Sequence, residues 1–181
     1  MANTGAAKRI IEPLDPNRHD RAAFFCGIIQ VDNFFKKTAN KLSKADNLRV
    51  YVMTEDDGTT VIGFYAINSH SISYADLPER FSRTRPGHGS IPAAYISMIG
   101  RDQRYRGGGY GGDLLTDCLQ RIAGIADQIG IAVVLLDVLV CGDEEKTSRR
   151  VALYSEYGFQ PLPSMPLRMF LPIATIRSLM G

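Results

Sequence analysis

The stretch RYRGGGYGG, residues Arg104 to Gly112, holds five of the chain's 17 glycines within nine positions. A β-rich run, Ala93 to Ile99, precedes it, and apolar residues from Leu114 to Ile129 follow at helical spacing. This order predicts a strand that turns through a glycine loop into a helix. The first amides of a helix lack partners within it, and glycine lets a ligand approach the backbone. The stretch therefore predicts a site for a phosphate-bearing cofactor, with Arg104 and Arg106 adding positive charge.

The patterns around the loop predict one α/β domain over residues 9–181, after a disordered start at residues 1–8. Turn residues at Glu55–Gly58 favour a hairpin, and Pro78–Gly89 is typical of a surface loop. The predicted strands are Arg9–Leu14, Asn47–Met53, Thr60–Ser71, Ala93–Ile99, Ile131–Val140 and Leu167–Ile173. The predicted helices are two short ones within Arg21–Leu42, with Gly27 near their junction, one after the glycine loop, and one over Glu144–Tyr157 closed by Gly158.

Length and composition exclude several classes of protein. A chain of 181 residues, 45% hydrophobic and 22% charged, is typical of one soluble globular domain. The longest apolar stretch, Ile129 to Val140, is too short to span a bilayer, and the first fifteen residues lack a signal-peptide core. Cys26, Cys118 and Cys141 fit no zinc motif and cannot all pair with one another. We therefore expect a cytoplasmic protein with no membrane contact and no metal site.

The glycine loop is open to several interpretations. A Walker loop needs a lysine, and none occurs between Lys44 and Lys146, so that motif is excluded. Gly107, Gly109 and Gly112 satisfy a dinucleotide fingerprint, although such a fold places this unit early in a series of βαβ units. A flexible surface loop is the third alternative. The fourth is a loop for the pyrophosphate of coenzyme A.

The spacing of Arg104, Gly107 and Gly109, extended by Gly111, resembles the acetyl-CoA loop of the GNAT acetyltransferases. The resemblance implies a mixed, strongly twisted sheet flanked by helices, in which an antiparallel meander is followed by a parallel pair. It also implies that loop amides hold the pyrophosphate and that the strand end before the loop binds the pantetheine arm. The implied acetyl-CoA residues are Ile99, Gly100, Arg101, Arg104, Arg106, Gly107, Gly108, Gly109, Tyr110, Gly111 and Gly112.

A second block, Tyr154 with Gly158 and Phe159, closes the last predicted helix at the distance expected of a GNAT protein. In that family a tyrosine here protonates the departing thiolate, and a phenol with a pKa of about 10 is a stronger donor than water. The structural alternative is a core aromatic near a helix end. Thr147 and Arg150 depart from the asparagine and alanine of many relatives, which leaves a side-chain contact to coenzyme A from that turn in doubt.

No side chain stands out in the sequence as a general base. His70 and His88 are isolated, and nothing in the sequence pairs Asp137, which lies in the predicted central strand. An α-amine, with a pKa of about 7.7 to 8.0, is already partly neutral at pH 7, whereas a lysine amine is not. A site without a base therefore favours an α-amine as the acceptor.

The amino-terminal region resembles one GNAT subgroup, the toxins of type II toxin–antitoxin modules. The resemblance rests on Phe25-Cys26-Gly27, Asp32, Phe34, Ala39 and Gly63-Phe64-Tyr65, together with a tail rich in methionine and proline. It implies acetylation of the α-amine of aminoacyl-tRNA, which blocks translation, and neutralisation by a ribbon-helix-helix antitoxin. A homodimer is compatible with the resemblance and is left open.

The formal charge of +2 is unevenly distributed. Residues 33–49 carry a local balance of +4 and residues 80–106 one of +5, as binding to a phosphate backbone requires. The expected tRNA contacts are Lys36, Lys37, Lys41, Lys44, Arg83 and Arg85. The alternative is a solvated lysine face and arginines that serve only coenzyme A.

The sequence therefore predicts an acetyl-CoA-dependent N-acetyltransferase that acts on aminoacyl-tRNA, with Tyr154 as the catalytic acid. One alternative is a GNAT enzyme that acetylates a small-molecule or protein amine. Another is a catalytically silent member of the family that binds coenzyme A or an antitoxin as a regulatory module.

Overall fold

The computed structural model describes residues 9–181, so the expected disorder of residues 1–8 lies outside the described residues. The strands are β1 (Ile11–Pro13), β2 (Arg49–Thr54), β3 (Val61–Ser73), β4 (Ser90–Arg101), β5 (Val133–Asp137), β6 (Gln160–Pro161) and β7 (Arg168–Pro172). The helices are α1 (Ile29–Asn33), α2 (Ala39–Lys44), α3 (Tyr110–Ala126), α4 (Glu144–Glu156) and α5 (Ile173–Met180). A π-helical turn, Phe34–Thr38, joins α1 to α2, and 3₁₀ turns cover Tyr74–Asp76, Glu79–Thr84 and Gln103–Tyr105.

The strands form one sheet in the order β1-β2-β3-β4-β5-β7-β6. Strand β1 is antiparallel to β2, and β7 is antiparallel to both β5 and β6. Strand β4 runs parallel to β5, in a register from Ala93–Val133 to Ile96–Leu136. The residues Val133 to Leu136 are all buried, as predicted for a central strand. The expected mixed sheet with one parallel pair is thereby confirmed.

The chain forms two compact units, and strands β3 and β4 contribute residues to both. The first unit contains the described residues up to Ala66 together with Ile99–Leu115. The second contains Ile67–Met98 and Thr116–Gly181. The assignment of residues 9–181 to a single domain stays a prediction.

Aromatic rings form the core of the first unit. The rings of Phe35 and Phe64 stack at 4.2 Å, and Phe24 meets them edge-on at 4.9 and 5.5 Å. All three side chains are fully buried. A Cβ atom on Gly100 would lie 2.6 Å from Val31 Cγ1 and 3.1 Å from Phe64 Cε1. Glycine is therefore required where the end of β4 passes this cluster.

The prediction that Gly27 lies near the junction of two short helices within Arg21–Leu42 is wrong about the junction. The two short helices, α1 and α2, are joined by the π-helical turn, and Gly27 precedes both with φ +88°. Residues 24–26 are not helical because tertiary partners take their backbone groups. The Phe25 amide donates to the side chain of Asp102, and the Phe25 carbonyl accepts from the amide of Gln103.

The second unit has its own core of eight buried side chains, which are Ile72, Leu77, Ile91, Ala93, Val133, Leu135, Leu162 and Phe170. The expected surface loop Pro78–Gly89 contributes to this core, because Phe81 packs edge-on against Phe170 at 6.1 Å. Strand β6 and helix α5 were not predicted. Helix α5 begins directly after the Pro172 that was expected to end the chain's last strand, and it buries Ile173 and Ile176. In the described part of the chain, no helix is long and apolar enough to cross a membrane.

Replacing Phe35 by alanine should lower the free energy of unfolding by about 3–5 kcal/mol, because it leaves a cavity among stacked rings. Ile29→Ala is the matched control, since the Ile29 side chain is 70% exposed. That control should change stability by less than about 0.5 kcal/mol. Urea denaturation of both variants measures the difference, and equal losses would contradict this account of the core.

Candidate active site

The glycine loop joins β4 to α3 and leaves its backbone accessible. Gly107 and Gly109 have φ values of +83° and +77°, which L side chains rarely adopt. A Cβ atom added to either glycine, or to Gly111, would meet no other atom within 4 Å. The backbone at these three positions can therefore be approached closely by a ligand.

Helix α3 begins inside the loop, earlier than the sequence suggested. It starts at Tyr110, and the Asp113 amide donates to the Gly109 carbonyl over 3.1 Å as the helix forms. The amides of residues 110–112 thus lie in the first turn, where helical N–H groups point outward and favour an anion. This arrangement fits a pyrophosphate held by backbone amides.

The two arginines of the loop have different surroundings. Arg104 donates from Nε and Nη2 to the two carboxylate oxygens of Asp102, both over 3.0 Å. The side chain of Asp102 is only 1% exposed. Burial alone would raise the pKa of this carboxyl, but bonds from Arg104 and from main-chain amides outweigh burial and lower it. Both arginine side chains are exposed, that of Arg104 to 53%, so both face solvent and only Arg104 is bonded to Asp102.

Arg101, at the end of β4, has a buried Nε atom with no hydrogen-bond acceptor among the described residues. A buried N–H without a partner is costly, which makes this atom a place where a ligand oxygen could complete the site. The residues present therefore fit a cofactor that carries phosphate and amide groups.

The Tyr154 block forms the carboxyl-terminal cap of α4. The Phe159 amide donates to the Tyr154 carbonyl over 3.1 Å, and the Gly158 amide donates to the Ser155 carbonyl over 3.0 Å. These two bonds, with Gly158 at φ +96°, define a Schellman motif. The rings of Tyr154 and Phe159 meet edge-on at 6.0 Å, which is the apolar contact that accompanies this cap. The Tyr-x-x-x-Gly-Phe pattern is thus a helix ending that holds the tyrosine in the last turn.

The phenol of Tyr154 is partly buried. Burial raises its pKa above the ordinary value, and the positive charge of Arg150, one helical turn earlier, opposes that rise. A raised pKa keeps the phenol protonated at neutral pH, which is the state that a proton donor requires.

Thr147 and Arg150, which depart from the common GNAT pattern, both make hydrogen bonds near the start of α4. Arg150 donates from Nη1 to the Leu139 carbonyl over 3.0 Å and contacts Cys141 Sγ at 3.5 Å. Thr147 donates to the Asp143 carbonyl over 3.1 Å. The Arg150 guanidinium lowers the pKa of the Cys141 thiol. These side chains therefore attach the helix to the segment after β5.

The structure pairs Asp137, for which the sequence indicated no partner. Its carboxylate accepts from the Tyr95 hydroxyl at 2.6 Å and from Arg168 Nε and Nη2 at 2.7 and 2.8 Å. The Arg168 bonds lower the pKa of Asp137, while burial and the bond to Asp137 raise the pKa of Tyr95 to about 12. Only the register of β4, β5 and β7 brings these residues together, and the sequence does not specify that register.

The histidines do not gather into a centre. His70 is exposed, with its ring 5.2 Å from the ring of Tyr95, and His88 lies in an exposed loop where its Nδ1 accepts from Ser90. Among residues 9–181, no three His, Cys, Asp or Glu side chains come together as a candidate metal site.

The expected tRNA contacts are largely exposed. Lys37, Lys41 and Lys44 are exposed and Lys36 is partly buried, all on the π-turn and α2 of the first unit. Arg83 and Arg85 are exposed in the second unit, where the Arg85 guanidinium lies 4.2 Å from the centre of the Tyr74 ring. The exposed cations are thus available for a phosphate backbone.

No family model matches the chain. A curated relative from Mycobacterium tuberculosis, a tRNA-acetylating toxin, is 31% identical over 181 residues, which cover 100% of this chain and 99% of the relative. A tyrosine-to-phenylalanine variant of KacT superposes with a TM-score of 0.83 at 20% identity, over 94% of this chain and 98% of that one. AtaT complexed with acetyl-methionyl-tRNAfMet superposes with a TM-score of 0.82 at 20% identity, over 96% of this chain and 99% of that one. AtaTR bound with acetyl-CoA superposes with a TM-score of 0.79 at 22% identity, over 96% of this chain and 98% of that one.

Gly158→Ala should lower the free energy of unfolding by about 1–2 kcal/mol, because the left-handed backbone at the cap disfavours a Cβ atom. The added atom would also lie 3.2 Å from Leu171 Cδ1. Gly124→Ala is the matched control, since this helical glycine has no neighbour within 4 Å of an added Cβ. It should be neutral or stabilising by up to about 1 kcal/mol. Thermal unfolding measures both, and a Gly158 variant as stable as the wild type would contradict the cap.

Proposed function

Because the chain belongs to the family of tRNA-acetylating toxins, we propose that it transfers the acetyl group of acetyl-CoA to the α-amine of an aminoacyl-tRNA. The observation that carries this proposal is the open glycine loop at the start of α3, in a chain that matches a tRNA-acetylating toxin over its whole length. The acetylated amine can no longer form a peptide bond, so the activity would stop translation.

Acetyl-CoA supplies an acetyl group activated as a thioester. The amides of residues 106–112 and the guanidinium of Arg106 hold its pyrophosphate at the first turn of α3. The main chain of residues 99–101 holds the pantetheine arm. In support, the β4–β5 register reaches Ile96 and Leu136, whereas β4 continues to Arg101.

In the transfer, the acceptor nitrogen attacks the thioester carbonyl, a C–N bond forms and the C–S bond breaks. Main-chain donors at the end of β4 stabilise the charge that develops on the carbonyl oxygen. Tyr154 gives its proton to the leaving sulfur, and the acceptor nitrogen releases a proton to solvent. The raised pKa of Tyr154 supports this role, because its proton is present throughout the neutral range.

The acceptor is proposed to be an α-amine for a chemical reason. Its pKa of about 7.7 to 8.0 leaves part of it neutral at pH 7, so attack needs no strong base. The carboxylate of Asp137 is a poor base, since bonds from Arg168 lower its pKa. A lysine amine, with a pKa of about 10.4, would need such a base.

The similar solved structures also suggest partners. One is a complex of KacTA with DNA, and others hold AtaT with the antitoxin AtaR. By analogy we propose that an antitoxin neutralises this chain. From the resemblance of its sequence to the toxin subgroup we further propose that the antitoxin is of the ribbon-helix-helix class, that the active unit is a homodimer, and that the protein acts in the cytoplasm.

The direct test incubates the protein with labelled acetyl-CoA and charged total tRNA, with deacylated tRNA as the control. Label should appear on charged tRNA alone and should be released with the amino acid by mild alkali. Absence of label from every charged tRNA would reject the tRNA-directed function. Label on protein or small amines instead would favour a different acceptor.

Tyr154→Phe should lower kcat by about 10²- to 10⁴-fold, because it removes the proton donor and keeps the ring. Affinity for acetyl-CoA, measured by titration calorimetry, should stay within about twofold of wild type. Tyr157→Phe, one residue beyond the end of α4, is the matched control and should retain wild-type turnover. Normal turnover in the Tyr154 variant would reject its assignment as the acid.

Replacing Lys37, Lys41 and Lys44 together by glutamine should weaken binding of aminoacyl-tRNA and reduce its dependence on salt. Each lost phosphate contact should lower the slope of log K against log salt by about 0.7 to 0.9. Arg177→Gln on α5, where Arg177 pairs with Asp127, is the control and should leave the slope unchanged. An unchanged slope in the triple variant would exclude these lysines from the RNA interface.

A further inference from the structure

The segment Phe25–Gly27 is attached to the start of the glycine loop by two hydrogen bonds of the Phe25 main chain. The Phe25 amide donates to Asp102 Oδ2 over 3.0 Å, and the Gln103 amide donates to the Phe25 carbonyl over 2.9 Å. Both donor and acceptor of one residue are thus used by residues far away in the sequence. The segment therefore acts as a support for the loop.

Asp102 collects the bonds at this junction. Oδ1 accepts from the amide of Arg104 over 2.9 Å and from its Nε over 3.0 Å. Oδ2 accepts from Phe25 and from Arg104 Nη2, and the Asp102 amide donates to the Ile62 carbonyl over 2.8 Å. A buried carboxylate is tolerated only when its oxygens are bonded in this way. The carboxylate thereby joins the support segment to Arg104, and the Asp102 main-chain amide attaches the same residue to strand β3.

Gly27 and Asp32 complete the support. A Cβ atom on Gly27 would meet the side-chain amide of Gln103, the movable end of an exposed side chain, and the φ of +88° favours glycine independently of that contact. Asp32 is buried, and its carboxylate accepts from the Cys26 amide over 2.8 Å. Two residues of the amino-terminal pattern, Phe25 and Gly27, therefore lie against the turn that leads into the loop, and Asp32 holds Cys26 between them.

We propose that Phe25–Gly27 and Asp102 are positioning residues for the pyrophosphate loop, and that Arg104 fixes the loop through Asp102 instead of binding the pyrophosphate. This inference rests on the proposed use of acetyl-CoA. Both arginines are exposed, but Arg104 has its Nε and Nη2 donors committed to a buried carboxylate, so we assign the direct contact to Arg106.

The first experiment compares two ligands that share the acetylated pantetheine arm. Acetyl-CoA also carries the pyrophosphate and the 3′-phosphoadenosine joined to it, and S-acetylpantetheine lacks both. Asp102→Asn should raise the dissociation constant of acetyl-CoA by about tenfold or more, because charged hydrogen bonds at the loop are lost. Titration calorimetry measures this change. The dissociation constant of S-acetylpantetheine, measured by ligand-observed NMR, should stay within about twofold of the wild-type value. Equal loss of both ligands, or loss of neither, would overturn the proposal.

Asp46→Asn is the matched control for loss of a carboxylate. Asp46 is exposed, pairs with Arg49, and has a φ of 61° that asparagine tolerates. It should leave the binding of both ligands unchanged. A loss of acetyl-CoA affinity equal to that of Asp102→Asn would show a general charge effect and overturn the proposal.

The second experiment tests the support segment by substitution and rescue. Gly27→Ala should weaken the binding of acetyl-CoA more than the binding of S-acetylpantetheine. Gln103→Ala alone should bind acetyl-CoA normally, because the hydrogen bond from the main-chain amide of residue 103 to the Phe25 carbonyl remains. The double variant should recover part of the affinity lost in Gly27→Ala, since the colliding side-chain amide is absent. Full affinity in Gly27→Ala, or no recovery in the double variant, would contradict the role of this contact.

The third experiment separates the two arginines by double-mutant cycles. If Arg104 acts through Asp102, Arg104→Gln should cost little further acetyl-CoA affinity in the Asp102→Asn background. Arg106→Gln should cost about the same in both backgrounds. Additive losses for Arg104 would assign it to the pyrophosphate and overturn the proposal. These experiments measure ligand affinity and do not use acetyl transfer to tRNA. If the wild-type protein failed to acetylate tRNA, the proposed acceptor would be rejected. The affinities for acetyl-CoA and S-acetylpantetheine would still test the role of Asp102.

Discussion

The bond network around the Asp102 carboxylate is the constraint on which the first unit's candidate site depends. A carboxylate that is 1% exposed is costly unless it is bonded, and its four bonds come from the Phe25 amide and from the amide, Nε and Nη2 of Arg104. Gly107, Gly109 and Gly111, which follow Asp102 in the loop, have open surroundings, and this leaves their backbone accessible to a ligand. Rigidity at the entrance of the loop and accessibility at its centre therefore come from different residues.

The sequence predicted the elements that short-range patterns specify. Buried β5 is a run of apolar residues, α4 ends at a glycine cap, and the glycine loop lies between a strand and a helix. The sequence did not predict the features that depend on contacts between residues far apart in the chain. Phe25 lies outside the helix because Asp102 and Gln103 take its amide and carbonyl, and Asp137 finds Tyr95 and Arg168 only through strand register.

The two landmark motifs of the sequence have different physical origins. The glycine loop is explained by positive φ values and by open space for a ligand, which are demands of binding. The tyrosine block is explained by two cap bonds and one ring contact, which are demands of helix termination. Arg150, which departs from the pattern of many relatives, bonds the segment after β5 and lies one turn from Tyr154. A motif residue can thus change while the helix keeps its place.

The Schellman cap has a consequence for how the activity of a catalyst depends on temperature. Helix ends unwind more readily than helix centres, and local openings of this kind need far less free energy than global unfolding. With Tyr154 as the proposed acid in the last turn of α4, the fraction of molecules that can donate a proton is set by the opening equilibrium of that turn. Heating would then reduce the proportion of competent enzyme before the fold melts, so activity and global stability would have different temperature limits.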